Sequence, residues 1–460
     1  MINIARYLIG AAAALSFLTV NAFTVSARSI DGAWRGSLSV GPTSIPLVFN
    51  FSTDPAGKTL CTLDSPQQGA KGIPTDVTLC SADSVIVSCP AIGASYSGAI
   101  HTDSIIGSFE QRGFKFPLNL APEKPLAKRR YQTPVPPFPY TVVDTTFTAP
   151  DGAVMSGTLT LPPAQKDGKV PAVLMVTGSG PQNRDEELFD HKPFAVIADY
   201  LARNGIASLR YDDRGTNRSA GNFNEATTMT LKEDAASGIR FLRSVGNTGP
   251  VGVLGHSEGG TIALMLGAEG ESDFVISLAG MAESGKQTIM RQNRHSIDKA
   301  PIPEDAKESS LKLIEMMLDE IADQTRKEKI ETIDVDSLAA AAGLTVPPAI
   351  MASIKNTRRS PWLDTFLTID PTEWLSKVKC PVLAVNGLRD TQVSPDNLEV
   401  IRRLVPQAQI MEMPGLNHLM QHCVTGEVTE YDQISETLSP ELLEALTRFL
   451  TTLISSPGTL

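Results

Sequence analysis

The 460-residue sequence predicts an α/β protein with a mostly parallel sheet, a helical insertion and a small N-terminal all-β domain. Three observations support this prediction. Short apolar runs alternate with helical periodicity between Val142 and Gly280, which is typical of βαβ units. The alternation stops over about residues 281–375 and then resumes. Residues 29–127 contain only short β-like runs bounded by Gly, Pro, Asp and Ser.

Each element follows from the spacing of apolar residues. In the N-terminal region the strands are predicted at Ile45–Phe51, Val77–Cys80, Val85–Val87 and Ile105–Phe109. A hairpin-like segment, Thr145–Leu161, opens the α/β region, whose strands are predicted at Ala172–Thr177, Ile206–Tyr211, Val251–Leu254, Phe274–Leu278, Pro381–Val385 and Ile410–Met413. Its helices are predicted at Phe194–Asn204, Leu231–Val245, Glu258–Leu266, Pro395–Leu404 and Pro440–Leu453. Helices of the insertion are predicted at Glu304–Lys329, Ser337–Ala342 and Pro348–Asn356.

The N-terminus has the layout of a secretory signal peptide. Arg6 precedes the apolar run Leu8–Val20, and Val25-Ser26-Ala27 offers small residues for cleavage near Ala27. The alternative is a membrane anchor, but 13 helical residues span only about 20 Å of a ~30 Å hydrocarbon core. We therefore expect an exported protein, periplasmic or secreted, with no membrane span.

The remaining chain is expected to form two domains. We predict a β-rich domain over 28–130, a linker over 131–140 and an α/β catalytic domain over 141–460 with a helical cap at about 281–375. The linker contains four prolines in Thr133–Tyr140, which favours a stiff, extended chain.

Charge and cysteine content limit the function classes. Lys and Arg number 40 against 51 Asp and Glu, a net charge of −11, with no basic block, so nucleic-acid binding is not expected. Three of the five cysteines, Cys61, Cys80 and Cys89, lie in the β-rich region. Cys80 and Cys89 could pair across a hairpin, or the thiols could be free and buried; the sequence leaves both open. The oligomeric state is not readable either.

The first catalytic motif is Gly255-His256-Ser257-Glu258-Gly259, between a predicted strand and a predicted helix. This is the Gly-x-Ser-x-Gly nucleophile elbow, in which a sharp turn exposes the serine hydroxyl and only small neighbours fit. The alternative is a plain glycine-rich turn, which the flanking strand and helix make the weaker interpretation.

A serine nucleophile needs a histidine base, and His418 is the best placed of the six histidines. It lies in a turn directly after the strand Ile410–Met413, where sheet enzymes present catalytic groups. His422 is the alternative. A metal site on His418 and His422 is not expected, because no Glu follows His418 as in zinc peptidases, and no cofactor is expected.

The acid should lie between serine and histidine in the chain. Asp390 does so, in the turn after the strand Pro381–Val385. Asp396 and Glu399 are alternatives, but their place in the opening turns of a helix favours a helix-dipole role.

A third turn, Thr177-Gly178-Ser179-Gly180-Pro181-Gln182, is predicted to supply the oxyanion hole. The backbone N–H of Glu258 would be one donor and that of Ser179 or Gly180 the other. A phosphate-binding loop is the alternative, but Asn183 breaks the Gly-x-Gly-x-x-Gly pattern.

Taken together, these motifs resemble those of exported bacterial α/β-hydrolases related to EstD-type carboxylesterases. The resemblance rests on the four segments 255–259, 178–182, 210–215 and 415–418, and on the leader segments 63–70 and 93–96. It implies the α/β-hydrolase fold, a triad of Ser257, Asp390 and His418, and short-chain esterase activity. Asn217 departs from the related pattern, and we interpret Asp212, Asp213 and Arg214 as a structural charge network.

We therefore expect a serine hydrolase that cleaves small-molecule carboxylic esters without a cofactor. An aminopeptidase-like enzyme is the nearest alternative, with Glu186, Glu187 and Asp190 as the acidic subsite for an amino terminus. A non-catalytic binding protein and an acyltransferase are the others.

Overall fold

The computed structural model describes residues 30–455, except 41–42, 55–56, 66–69, 112, 124–129, 164–168, 247, 329–330 and 358. The predicted signal peptide, part of the leader segment 63–70 and the predicted helix end at Lys329 lie outside the described residues. The described chain divides into two compact units near residue 129.

The N-terminal unit is all-β, as predicted. Its strands are β1 (Gly32–Val40), β2 (Thr43–Thr53), β3 (Thr59–Ser65), β4 (Ala70–Pro74), β5 (Asp76–Cys80), β6 (Ser84–Cys89), β7 (Ala94–Ile100), β8 (Ile105–Gln111), β9 (Phe114–Pro117) and β10 (Ala121–Pro122). They form two five-stranded antiparallel sheets, ordered β10-β1-β2-β3-β4 and β5-β6-β7-β8-β9. Alternate residues of both sheets share one apolar core, in which the rings of Phe49 and Tyr96 lie 4.9 Å apart.

All five cysteines are free thiols in the structure. The pairing of Cys80 with Cys89 is wrong, because the hairpin places Cys80 opposite Val85 and Cys89 opposite Ala94. Burial raises the pKa of Cys89 to about 11 and that of Cys61 to about 12. These two thiols are therefore buried and protonated at neutral pH.

The C-terminal unit has the predicted α/β architecture. Its strands are β11 (Thr141–Thr148), β12 (Val154–Leu161), β13 (Val170–Val176), β14 (Ala207–Tyr211), β15 (Thr248–His256), β16 (Val275–Leu278), β17 (Val382–Gly387) and β18 (Gln409–Met413). Its helices are α1 (Pro193–Arg203), α2 (Thr228–Ser244), α3 (Glu258–Ala268), α4 (Gly285–Asp298), α5 (Glu304–Arg326), α6 (Val335–Ala341), α7 (Pro348–Lys355), α8 (Pro361–Phe366), α9 (Thr372–Leu375), α10 (Asn397–Leu404), α11 (Val428–Tyr431) and α12 (Pro440–Ser455).

The eight strands form one sheet in the order β11-β12-β14-β13-β15-β16-β17-β18. The first two pairings are antiparallel and all others are parallel. The apolar run of β13 has no gaps because the strand is buried on both faces. Leu174 packs on one face with α2, α3 and α10, and Met175 packs on the other with α1 and α12. This strand order, with a helical insertion after β16, is the α/β-hydrolase fold.

Helices α4 to α9 form the insertion between β16 and β17. The sequence analysis missed α4, α8 and α9. Helix α4 is polar over most of its length, but it begins with a capping box of Ser284 and Gln287 that a search for helix starts would detect. Leu313, Leu318 and Ile321 of α5 centre a separate apolar core within the insertion. Within the described residues, no helix is long and apolar enough to cross a bilayer.

The buried side chain of His191 makes the stability of this unit sensitive to acid. Its Nδ1 lies 2.9 Å from the Thr437 hydroxyl, and its Nε2 has no hydrogen-bond partner among the described residues. Burial, assisted by the Arg130 guanidinium, lowers the pKa of His191 from 6.5 to about 4. The unfolded chain therefore binds this proton more readily, and the stability present above pH 6.5 is lost as the pH falls toward 4.

We expect wild type to lose about 2 kcal/mol more of its free energy of unfolding than His191→Gln between about pH 7 and pH 4.5. Denaturant titrations at the two pH values measure this difference. His422→Gln is the control, because His422 is 51% exposed and should leave the pH dependence unchanged. An equal acid loss in wild type and His191→Gln would contradict the assignment.

Candidate active site

The predicted site residues lie at one edge of the sheet. Strands β13, β15, β17 and β18 are parallel, so their carboxyl ends share this edge. The turns that follow them carry the segment 177–182, Ser257, Asp390 and His418. Ligand sites of open α/β sheets lie at such an edge.

Ser257 is held in a strained turn between β15 and α3. Its φ is 55° and its ψ is −120°, a conformation that is rare for a residue with a side chain. A Cβ on Gly255 would lie 1.9 Å from the Gly259 carbonyl oxygen, and one on Gly259 would lie 2.2 Å from that of Val176. Both positions therefore require glycine, as the elbow pattern predicts.

Asp390 and His418 contact each other directly. Nδ1 of His418 lies 2.7 Å from Oδ2 of Asp390, and both side chains are almost fully buried. The other oxygen of Asp390 accepts the N–H groups of Gln392 at 2.8 Å and Val393 at 2.9 Å. These bonds fix the carboxylate, which in turn orients the His418 ring with Nδ1 toward Asp390.

The alternative acids and the alternative base lie elsewhere. The side chains of Asp396 and Glu399 are 81% and 69% exposed and contact Ser394 and Arg402. His422 contacts Glu436 through Nδ1 at 2.9 Å. Among the described residues, no group of three or more His, Cys, Asp or Glu is arranged to hold a metal ion.

The segment 177–182, called the oxyanion loop after its predicted role, is clamped at both ends by Asp213. One carboxylate oxygen accepts the Thr177 hydroxyl at 2.8 Å, and the other accepts the Gln182 N–H at 2.9 Å. Burial raises the pKa of Asp213 well above its usual value, against these hydrogen bonds, and the charges of Glu186 and Glu258 raise it further. Asp213 therefore shapes the loop and has no ion-pair partner among the described residues, unlike its neighbours Asp212 and Arg214.

The remaining N–H groups of the loop are available for a ligand. Gly178 donates its N–H to Glu186 at 2.8 Å. Within the described residues, the N–H groups of Ser179 and Gly180 meet no acceptor. Glu258 is the first residue of α3, so its N–H is one of the unpaired donors of a helix N-terminus. These are the three donors that the sequence analysis named, and Gly180 has φ +92°, which glycine adopts without strain.

The side chain of Glu258 links the elbow to the insertion. Its carboxylate is fully buried and accepts the Thr228 hydroxyl at 2.5 Å and the indole N–H of Trp362 in α8 at 2.9 Å. Burial raises the pKa of Glu258, while hydrogen bonds from Thr228, Trp362 and Ser179 act in the opposite direction. Residues from α2, α8 and the oxyanion loop thus meet at the residue next to Ser257.

We expect Trp362→Phe to lower the free energy of unfolding by about 1–3 kcal/mol, because it removes a donor from a buried carboxylate. Phenylalanine can keep the stacking on Phe366, whose ring lies 4.8 Å away. Denaturant unfolding measures the effect. Trp374→Phe in α9 is the matched control, since its indole does not contact Glu258, and an equal loss in both variants would contradict the interpretation.

Glu186 does not form an exposed acidic subsite with Glu187 and Asp190. It is 2% exposed, and its Oε1 lies 2.9 Å from Nδ1 of His256 besides accepting the Gly178 N–H. Glu187 contacts Lys192 at 3.4 Å, and Asp190 is exposed.

The segment after β14 contains the expected charge network at Asp212 and Arg214 but not at Asp213. Arg184 donates to Asp212 through its guanidinium at 2.7 Å, and Arg214 donates to Asp234 at 2.6 Å. Asn217, where the sequence departs from the related pattern, has φ 50° and donates to Asp212 at 3.2 Å. Asparagine tolerates this left-handed conformation, so the departure preserves the loop.

His256 directly precedes Ser257 and is the last residue of β15. Its side chain lies against His418: Nε2 of His256 lies 2.9 Å from the backbone oxygen of His418, and the two rings are 4.7 Å apart. A histidine that ends a buried strand is itself a signal, since a buried polar side chain needs partners.

Similar proteins were found by sequence and by structure. The chain is 26% identical over 285 residues to esterase EstD of Thermotoga maritima, which covers 59% of this chain and 59% of that protein. The structural match to esterase Pf2001 of Pyrococcus furiosus covers 68% of this chain and 93% of that chain, with 15% identity and a TM-score of 0.41. The match to the α/β hydrolase GrgF of a Penicillium species covers 68% of this chain and 98% of that chain, with 17% identity and a TM-score of 0.43. The fold assignment rests on the strand order and not on these scores.

The range that matches a protein family includes most of the α/β unit and the candidate site. Residues 151–421, more than half of the chain, match the X-Pro dipeptidyl-peptidase family S15. This range includes Ser257, Asp390 and His418, and it spans the insertion. The chain belongs to the S15 family.

Proposed function

We propose that this protein is a serine hydrolase that cleaves small carboxylic esters through Ser257, His418 and Asp390. The observation that carries the proposal is the buried His418–Asp390 contact of 2.7 Å at the sheet edge that also presents Ser257. The similarity to an esterase supports the choice of ester substrates.

In the proposed reaction, Nε2 of His418 takes the hydroxyl proton as Ser257 attacks the acyl carbon. The carbonyl oxygen becomes an oxyanion, which the N–H of Glu258 and that of Ser179 or Gly180 stabilise. His418 then protonates the leaving alcohol. Water, activated by the same histidine, attacks the acyl-enzyme and releases the acid and Ser257. The route needs no metal or cofactor.

A peptidase that releases X-Pro dipeptides from the amino terminus of a peptide is the second candidate, and the family match favours it. Such an enzyme must bind the free amino group of its substrate. Glu186 is not available for this role, because His256 and Gly178 already engage it. We therefore rank ester cleavage first.

The test combines labelling with two substrate types. A fluorophosphonate should label the folded protein, and mass spectrometry should locate the label on Ser257. A p-nitrophenyl ester series from C2 to C12 should show turnover that peaks at C2–C6, with little cleavage of Ala-Pro-p-nitroanilide. Amide cleavage that exceeds ester cleavage would favour the peptidase. Absence of labelling in folded protein would favour a non-catalytic binding protein.

We further propose that the protein is exported and begins, after cleavage, near Arg28. The support is the arrangement of Arg6, Leu8–Val20 and Ala27 in the sequence. N-terminal sequencing of the protein produced with residues 1–27 in a bacterial host tests this. A mature protein that retains its first residues would contradict it.

A further inference from the structure

The proposed reaction does not use Glu186 or His256. This pair nevertheless contacts both the oxyanion loop and His418, which the reaction does use. His256 is 6% exposed and Glu186 is 2% exposed, so neither is placed to touch a substrate. Both ring nitrogens of His256 face oxygen atoms at 2.9 Å: Nδ1 faces Oε1 of Glu186, and Nε2 faces the backbone oxygen of His418.

This geometry determines where the protons lie. A backbone carbonyl oxygen only accepts, so Nε2 of His256 must carry a hydrogen. The contact between Nδ1 and Glu186 also needs a proton. Oε1 of Glu186 already accepts the N–H of Gly178 at 2.8 Å, which disfavours a proton on that oxygen. The proton therefore belongs on Nδ1, and His256 is an imidazolium paired with a carboxylate.

The surrounding charges agree with this assignment. Burial lowers the pKa of His256, but the charge and hydrogen bond of Glu186, the His418 carbonyl and the charge of Asp390 together raise it above its usual value. The carboxylates of Glu186 and Glu258 both lie close enough to Asp213 to raise its pKa. A cation at His256 balances the carboxylate of Glu186, its direct partner.

The pair also joins the three turns of the candidate site. Glu186 holds Gly178 at the start of the oxyanion loop, His256 precedes Ser257, and His418 is held through its backbone oxygen. Asp390 fixes the ring of His418 at Nδ1 from the other side. The base is thus fixed at two independent points, one on its side chain and one on its main chain.

We propose that Glu186 and His256 are positioning residues, an ion pair that holds the catalytic base and the oxyanion loop in register with Ser257. The inference rests on the proposed function for its kinetic part, but the protonation of His256 does not depend on activity.

The first measurement is therefore spectroscopic. With selectively ¹⁵N-labelled histidine, the ring nitrogens of His256, assigned by their loss in His256→Gln, should report an imidazolium at about pH 7.5. In Glu186→Gln the ring should become neutral at that pH, because the amide can still accept the Gly178 N–H but supplies no charge. A neutral His256 in wild type would overturn the ion pair whether or not the protein is an enzyme.

The second measurement is kinetic. His256→Gln should lower kcat for an ester by on the order of 10- to 100-fold, as misplacement of a reacting group by about 1 Å does. Glu186→Gln, which can keep the bond from the Gly178 N–H and the bond from Nε2 of His256 to the His418 carbonyl, should cost less, about 3- to 10-fold. KM should change less than about two-fold in both, since neither residue is placed to touch the substrate.

The pH profile separates positioning from a general loss of structure. The His256 ring lies 4.7 Å from the His418 ring, so removing its charge in His256→Gln should move the acid limb of kcat/KM to higher pH. His422→Gln, at an exposed histidine bonded to Glu436, should change neither kcat nor the profile. A His256→Gln protein with wild-type kcat and an unchanged acid limb would overturn the proposal. An inactive wild type that still shows the imidazolium would contradict the proposed function and leave the ion pair standing.

Discussion

Ser257→Ala should lower ester turnover by at least about 10⁴-fold, as loss of a triad serine does elsewhere. The alanine keeps the Cβ and therefore the strained φ of 55° and the contacts of the elbow. The N–H groups that would bind the oxyanion also remain in place. The variant should therefore fold and bind ester, yet have no atom that can form the acyl-enzyme. Initial rates with p-nitrophenyl acetate measure the loss, and thermal unfolding checks the fold.

The control for this variant is Ser244→Ala, at an exposed serine at the end of α2 whose hydroxyl donates to the Phe241 carbonyl. It should keep wild-type turnover and wild-type labelling by fluorophosphonate. Ser257→Ala should lose the label completely. Turnover within tenfold of wild type in Ser257→Ala, or labelling that survives it, would remove Ser257 from the proposed reaction.

The fold was readable from sequence because its strands are unambiguous. Strand β13 is apolar at every position that faces either helical layer, which is the pattern of a strand buried on both sides. The turns at the strand ends were equally clear, because Gly255 and Gly259 leave no room for a side chain. Local sterics and local periodicity are properties that a single sequence carries.

The features that escaped prediction depend on contacts between distant segments. Trp362 lies in the insertion and donates to Glu258, which is 104 residues earlier in the chain. Glu186 faces His256 across 70 residues. Nothing in the local pattern of either acid distinguishes it from an exposed loop charge, and only the folded chain shows that both are buried.

Asp390→Asn should lower kcat by about 10³- to 10⁴-fold while KM changes little. The reason is the direction in which the new amide must point. Oδ1 of Asp390 accepts two backbone N–H groups, from Gln392 and Val393, and the amide oxygen of asparagine would have to take that place. Its NH₂ group then faces His418 and donates to Nδ1, which moves the ring proton to Nε2. The nitrogen that must accept the serine proton is then already protonated.

Asp396→Asn is the matched control, because Asp396 is the nearest rival in sequence and its side chain is 81% exposed. Turnover by Asp396→Asn should stay within about two-fold of wild type, since an exposed carboxylate away from His418 affects the base only weakly. Stopped-flow acylation with p-nitrophenyl acetate would show the Asp390→Asn defect in the acylation step itself. If Asp390→Asn kept turnover within tenfold of wild type, or if Asp396→Asn showed the larger loss, the 2.7 Å contact between Asp390 and His418 would not be the one that orients the base.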